Sequence, residues 1–381
     1  MLPVIKYPVL EVYIKDILFV VFLLCFIAQL YYLIANHNRL ARYKPQNDTP
    51  VGQLPVSVII AARNEYANLK HNLPLILDQD YPEYEVIVVN DCSFDHTDEL
   101  LNIYEKQYPK LRIVTIEEHP RFKTGKKFAL TLGIKAARYE HLLFTDADCE
   151  PTSSHWISRM ASKFKGDVSI VLGYSPYQRS RGLLNLFARF ETLKTAINYL
   201  SAALSGDAYM GIGRNLAYTK TLFFKNKGFA AHMHILSGDD DLFVNQNATP
   251  ANLDIEIHPD AHTQSEVKPT LRSYYRQKKR HMGVGKLYKS KHRRFLSFDA
   301  LSGFVYYGLF IYLLTIQLEP LLILGLYLFR LILQVVIYNK VFTKLRCADL
   351  IWWLPIFDFV YYLYLNIFGL IGTFTKTKQW K

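Results

Sequence analysis

Cysteine is scarce, with four residues in a chain of 381, at positions 25, 92, 149 and 347. They form no CxxC pair and no even ladder of spacings, which excludes a disulfide-stapled module or a zinc knuckle and favours a reducing compartment. No GxGxxG follows the first apolar run and no GxxxxGK[ST] occurs, so the phosphate cradles of dinucleotide and P-loop proteins are missing. His258 and His262 lie four apart, but Pro259 spoils a helix there and no HExxH glutamate is present. Internal repeats and low-complexity tracts are absent. Charge is thin too, at 20% of residues.

What is abundant is apolar and aromatic. Hydrophobic residues make up 50% of the chain, with 27 Tyr and 24 Phe, which excludes disorder as the main theme and suits rings held at lipid-headgroup level. The net charge is +12, and the cations cluster beside apolar runs rather than on a recognition helix, which argues against a nucleic-acid partner.

Residues 17–35 carry no charge and, at about 1.5 Å per residue, come close to the roughly 30 Å hydrocarbon core. Arg39, Arg42 and Lys44 follow as a stop-transfer flank, so this reads as a retained transmembrane helix. From 301 to 338 only Glu319 and Arg330 are charged, and Glu319-Pro320 divides that run into two spans. A third stretch, 348–374, is interrupted by Asp349, Pro355 and Asp358; it reads as a kinked span, a re-entrant hairpin or an interfacial helix. Residues 276–294 hold nine Lys/Arg and no acid, and Lys340, Lys344 and Arg346 add to the basic flanks, which places the middle region in the cytoplasm of a bacterial-type inner membrane. The tail lysines 376, 378 and 381 conflict with that orientation if 348–374 crosses fully. The expected organisation is an anchor segment 1–44, a catalytic region 45–270 after a linker at 45–55, a basic amphipathic interfacial segment 271–300, and membrane helices over 301–381.

In the middle region, apolar β-branched runs at 56–60, 85–89, 112–116 and 141–145 predict strands, and amphipathic stretches at 66–79, 95–107 and 127–137 predict helices. That alternation implies a doubly wound α/β sheet with chemistry at the carboxyl ends of its strands. Polar residues stand there: Arg63-Asn64-Glu65, Asn90-Asp91 and Asp146-Ala147-Asp148. Asp146 and Asp148, one residue apart, can pinch a hard divalent cation such as Mg2+ or Mn2+, or else cap the next helix. Lys123, Lys126 and Lys127 around Gly125 form a positive loop able to meet phosphate. Asp91 and Asp95 can accept hydrogen bonds from a base or ribose, cap a helix, or do both. Asp239, Asp240 and Asp241 are consecutive acids in SGDDDL; their repulsion raises a proton affinity and suits a general base. Gln277 and Arg280 lie in QKKRH beside the membrane runs.

Taken in order along 55–285, these segments resemble the membrane-bound inverting glycosyltransferases of family 2. The resemblance implies a GT-A fold, a doubly wound mixed sheet, with one N-terminal and two to three C-terminal transmembrane helices. VSVIIAARNE is similar to the family's first strand and turn, which implies that Ala61, Arg63 and Glu65 border a nucleoside-diphosphate sugar. VVNDCSFDHT implies Asp91 at the base of a UDP-type nucleotide, and KTGKKFALTLGI implies Lys126 near it. TDADCEP resembles the metal-binding DxD, with Asp148 on the cation and Asp146 on metal or ribose. GRNLAY, with Asn215, resembles the segment lining the donor and acceptor pocket. SGDDDL is similar to TEDxDL and implies Asp239 as base with Asp240 as rival, Gly238 standing where the family has Glu. QKKRH resembles QxxRW, with Gln277 and Arg280 at the diphosphate and His281 in place of Trp. The implied reaction is metal-assisted single displacement onto a lipid or lipid-linked glycan acceptor. Processive polysaccharide synthesis is the alternative within the class, and a non-catalytic nucleotide-binding receptor or transporter subunit the alternative outside it.

Overall fold

The computed structural model describes residues 8–45, 54–117, 125–233, 235 and 237–374. Most of the expected linker, Lys123, the tail lysines, and the side chains of Arg280 and His281 lie outside the described residues.

The chain enters through α1 (Pro8–Tyr31), which continues through a π-helical stretch, Tyr32–His37, into α2 (Asn38–Arg42). Strand β1 (Val56–Ala62), α3 (Tyr66–Leu77), β2 (Tyr84–Asp91), α4 (Thr97–Gln107), β3 (Leu111–Ile116), α5 (Lys126–Ala136) and β4 (His141–Asp146) then follow in the predicted alternation. Next come β5 (Cys149–Pro151), α6 (Trp156–Ala161), β6 (Ile170–Leu172), α7 (Leu183–Leu204), β7 (Leu216–Thr219), α8 (Lys220–Lys225), α9 (Asp241–Asn247), β8 (Leu253–Ile255) and β9 (Thr263–Ser265). The C-terminal part is helical: α10 (Leu271–Met282), α11 (Ser290–Thr315), α12 (Pro320–Lys344) and α13 (Leu354–Phe374), the last preceded by a 3-10 stretch, Ala348–Trp353.

Seven strands form one sheet in the order β3-β2-β1-β4-β7-β6-β8, and β5 pairs with β9 separately. The first four are parallel, whereas β7 runs antiparallel to β4 and β6, so the sheet is mixed. Both faces of β1 and β2 are covered, which is why those strands read as unbroken apolar runs. On one face Val58, Ile60, Leu69, Leu73 and Trp156 pack together under α3 and α6. On the other, Ile59, Val89, Ala129 and Ile134 pack under α5, in one core with Leu193, Leu200, Val341, Phe342 and Leu350. Gly133 permits the close approach of α5, because a Cβ there would lie 2.7 Å from Ile59 Cγ2. The catalytic region and the C-terminal helices therefore share one continuous core.

Among the described residues four helical stretches are long and apolar enough to cross a bilayer: Tyr13–Arg42, Ser290–Thr315, Pro320–Lys344 and Ala348–Leu370. Glu319-Pro320 does break the second run, with Glu319 in the left-handed region (φ 41°) and Pro320 opening α12. Helix α11 begins at Ser290, so residues 290–300 are continuous with a candidate span rather than a separate segment. The stretch 348–374 forms one continuous helix from Leu354, not a hairpin. Its acids are answered by ion pairs: Asp349 by Arg189 at 2.7 Å, and Asp358 by Lys194 at 3.1 Å and Arg330 at 3.0 Å.

Candidate active site

The predicted polar residues gather at the carboxyl ends of β1, β2 and β4. Register places Ala61 beside Val89 and Asp146 on neighbouring strands, so it borders the crest that carries the acids. Just past those ends, Asn64 (φ 54°) and Cys92 (φ 51°) adopt left-handed backbone that non-glycine residues rarely take. Such strain persists where the surroundings over-determine it, as they do here. Asn64 Oδ1 accepts from Phe94 N at 2.7 Å, and Asn64 N donates to Ser93 Oγ at 2.9 Å. Asp95 takes both Tyr66 N and Thr97 N at 3.1 Å, so its carboxylate laces the two loops and caps α4's start. Those hydrogen bonds outweigh burial and hold its pKa below the usual carboxylate value. Arg63 lies 3.9 Å from fully buried Asp91. The Glu65 carboxylate accepts from Asn68, and its backbone N donates to Thr97 Oγ1 at 3.1 Å.

The centre is Lys126. Its ammonium sits 2.9 Å from Asp146 Oδ1 and 3.0 Å from Asp239 Oδ2, joining acids that are far apart in sequence. Burial alone would lower its pKa, but Asp146, Asp239 and Asp240 together hold it well above the usual lysine value. Lys126, Thr145, Asp146, Gly213, Tyr218, Asp239 and Asp240 line one narrow pocket. Gly213 packs close there: a Cβ would come within 3.2 Å of Lys126 Nζ and 3.3 Å of Asp240 Oδ2.

Asp239 and Asp240 have separate work. Asp240 accepts Gly213 N at 2.6 Å and Asp241 N at 2.8 Å, capping α9 and tying it to the 213 turn. Burial and then Asp239 raise its pKa. Asp241 is raised further by burial and Asp240, and it accepts the Tyr288 hydroxyl at 2.8 Å. Gly238 enters this turn at φ +89°, where a Cβ would lie 2.7 Å from Leu242 Cδ1. The turn as built here favours glycine at the position where the resemblance puts glutamate. Lys127 anchors the preceding loop through the carbonyls of His232 (2.7 Å) and Ile235 (3.1 Å), and burial lowers its pKa to about 8.

Asp148 faces a second, wider polar depression lined also by Asn68, His71, Glu150, Gln264 and Lys268. Lys268 lies 3.3 Å from its Oδ2. Asp146 and Asp148 keep side-chain exposures of 30% and 34%, so each presents a hard oxygen within reach of solvent. Among the described residues no third His, Cys, Asp or Glu completes a cage. Two carboxylates with the remaining positions left to water and phosphate is the pattern magnesium-type ions accept, so the residues fit such a cation.

Asn215 departs from expectation. It is fully buried; its Nδ2 donates to Tyr174 O (2.8 Å) and Ala261 O (2.7 Å), and its Oδ1 accepts from Trp156 Nε1 at 3.0 Å. Its polar groups are spent on the fold, and it is not among the residues that line the narrow pocket. Gln277 is not among the residues that line the Lys126 pocket; its Oε1 accepts from Tyr177 OH at 3.4 Å. Arg214 and Lys268 were not singled out from sequence. Arg214 stacks over Tyr177 at 4.8 Å and donates to Ser265 Oγ at 2.8 Å. In GRNLAY the amide of Asn215 draws the eye before Arg214 does, and Lys268 carries no local signal.

A family model described as Glycosyl transferase family 2 matches residues 57–223, and one described as Glycosyl transferase family group 2 matches residues 154–370, more than half of the chain. The chain belongs to glycosyltransferase family 2. Among curated relatives of this glycosyltransferase, a probable glycosyltransferase YdaM of Bacillus subtilis strain 168 is 26% identical over 68% of this chain and 64% of its own. A poly-beta-1,6-N-acetyl-D-glucosamine synthase of Staphylococcus epidermidis is 32% identical over 32% of this chain and 28% of its own. The matches thus span less than two thirds of either relative. In fold, the chain is similar to the mannosyltransferase PcManGT of Pyrobaculum calidifontis, solved with GDP-Man and Mn2+, at a TM-score of 0.57 and 18% identity, covering 93% of this chain and 98% of that one. The mixed sheet is the GT-A fold.

Proposed function

We propose that this glycosyltransferase is anchored in the membrane with its catalytic region in the cytoplasm. It would move a sugar from a nucleoside-diphosphate donor, UDP-linked in first choice, to a lipid or lipid-linked glycan with inversion. The observation that carries the reading is the Lys126 bridge: the DxD acid and the SGDDDL acid meet at one ammonium, in a single narrow pocket. Inverting transfer needs such a meeting, because the base must stand beside the donor's reacting carbon.

Asp146 and Asp148 would hold Mg2+ or Mn2+, which supplies positive charge to the departing diphosphate. Asp239 takes the proton from the acceptor hydroxyl. That oxygen forms the new bond to the anomeric carbon from the face opposite the diphosphate, whose bond to carbon breaks. Lys126 adds positive charge between the two acids, and Asp240 holds the turn that aims Asp239. Ala61, Arg63, Glu65 and Asp91 border the nucleotide from the ends of β1 and β2 and the turn after β1.

Purified protein in detergent, given a panel of UDP- and GDP-sugars with Mn2+ or Mg2+ and a lipid extract, should release nucleoside diphosphate and yield a glycolipid of one added sugar. Turnover of no donor would sink the reading. A ladder of long products would instead favour the processive alternative, to which the poly-N-acetylglucosamine synthase relative lends support.

A further inference from the structure

The DxD pair stands between two lysines that differ in freedom. Lys126 is held by Asp146 at 2.9 Å and Asp239 at 3.0 Å in the narrow pocket, and its side chain is only 17% exposed. Lys268 lies 3.3 Å from Asp148 Oδ2 and is 40% exposed. It opens onto the wider depression, of about 350 Å³, that Asp148 also lines. One ammonium is locked between two acids, and the other can turn.

Backbone pairing brings Lys268 to this place. Strands β5 and β9 run antiparallel with Cys149 opposite Ser265, so the chain just past Ser265 passes beside the residue just before Cys149. Ser265 is fixed from two further sides: Gln178 N donates to its carbonyl at 2.9 Å, and Arg214 Nη1 donates to its hydroxyl at 2.8 Å. Beyond Lys268, Pro269 restricts the preceding backbone to extended forms. Thr270 N then donates to Ser273 Oγ, and Ser273 N to Thr270 Oγ1, both at 3.2 Å, at the start of α10. The backbone is held on both sides of Lys268, so a change of partner is a swing of its side chain alone.

Magnitudes favour such a swing. An exposed ion pair of this kind is worth about fivefold at most in an equilibrium constant. A hydrogen bond from an ammonium to a charged oxygen is worth about tenfold or more. A divalent cation brings twice the charge of an ammonium to the same carboxylate and repels the ammonium beside it. The phosphates of a sugar nucleotide offer that ammonium charged oxygens in exchange.

We propose that Lys268 is a diphosphate-binding residue that changes partner, giving up Asp148 to a divalent cation and donating instead to the donor's phosphates, a role that rests on the sugar-nucleotide reading. Lys126, held by two acids, stays where it is.

Full-length protein in detergent is compared with Lys268→Met and Lys268→Arg by calorimetry. With Mn2+ alone, Lys268→Met should bind the ion about three- to fivefold more tightly, because the competing ammonium is gone. At saturating Mn2+, its affinity for UDP, GDP and inorganic pyrophosphate should fall about tenfold. Lys268→Arg should keep most of the phosphate affinity, since a guanidinium also suits phosphate. Shifts of opposite sign mark an exchange; a lysine that only props its loop would move both affinities together or neither. Unchanged pyrophosphate affinity in Lys268→Met, or Mn2+ binding that is weaker or unchanged, overturns the role. The pyrophosphate arm separates it from the donor assignment: wild-type protein that binds pyrophosphate with Mn2+ but no nucleotide keeps the role of Lys268 and removes the sugar nucleotide. Wild-type protein that binds neither overturns both.

Discussion

The Lys126 ammonium stands 3.0 Å from the Asp239 carboxylate and so shares one charge between the acid assigned as base and the acid at the end of β4. Asp239→Asn should lower transfer about 10²- to 10⁴-fold, the usual contribution of a positioned base, with nucleotide affinity retained. Asp240→Ala should instead cost about 1 kcal/mol of stability through the lost cap of α9. Steady-state rates beside calorimetric nucleotide binding separate the two; equal rate losses would remove the distinction drawn between these neighbours.

Chelation should abolish turnover, and Mn2+ or Mg2+ should restore it. In Asp148→Ala, nucleoside-diphosphate affinity should no longer respond to added metal. Binding isotherms with and without the ion read this directly, and an unchanged metal response in the variant would exclude Asp148 as a ligand.

Lys127 makes a prediction about pH. Its folded pKa, about 8, lies below the ordinary 10.5, so between those values the unfolded chain binds more protons than the folded one. Stability should therefore rise with pH across that window. Lys127→Met should flatten this rise in melting temperature between pH 8 and 9.5. A wild-type midpoint that falls over the same range would contradict the assignment.

Asn215→Ala breaks three buried hydrogen bonds and leaves their partners unanswered, a loss on the order of 3 kcal/mol. Activity per folded molecule should hold. A variant that keeps its melting temperature but loses donor affinity would return Asn215 to the donor pocket.

Asp358→Ala leaves Lys194 and Arg330 buried without their shared acid. Removing one partner of a buried pair costs about 3–5 kcal/mol, so thermal unfolding in detergent should begin well below that of the parent. Asp349→Ala leaves buried Arg189 without its bidentate acid, but Asp349 is itself partly exposed, so the loss should be smaller.

The first half of the catalytic sheet was legible because β1 and β2 are buried on both faces and written in unbroken β-branched residues, each ending in polar ones. Strands β6, β8 and β9 have three residues apiece, too few for any period to show. Helix α7 hides for another reason. Its Arg189, Glu191 and Lys194 look like a solvated face, and only folding brings Asp349, Lys278 and Asp358 to them. Asp146 and Asp148 stand out by local spacing and the triplet 239–241 by its succession, with Asp239 singled out by the family resemblance, whereas the Lys268 contact spans 120 residues. Asn215 misled because a polar residue inside a pocket-lining segment gives no sign of which way it faces.

The Arg330 guanidinium donates to Gln29 Oε1 at 2.8 Å across 301 residues of chain. Lys344 likewise donates to the carbonyls of Leu40, Ala41 and Tyr43. At 5–20 residues per second, a ribosome needs about 15–60 s to travel from the first of these partners to the last. During that interval the Gln29 amide has no Arg330 to meet. Synthesis of this enzyme therefore includes a waiting period, and a chain released before α12 emerges is left with a first helix that lacks its partner for Gln29.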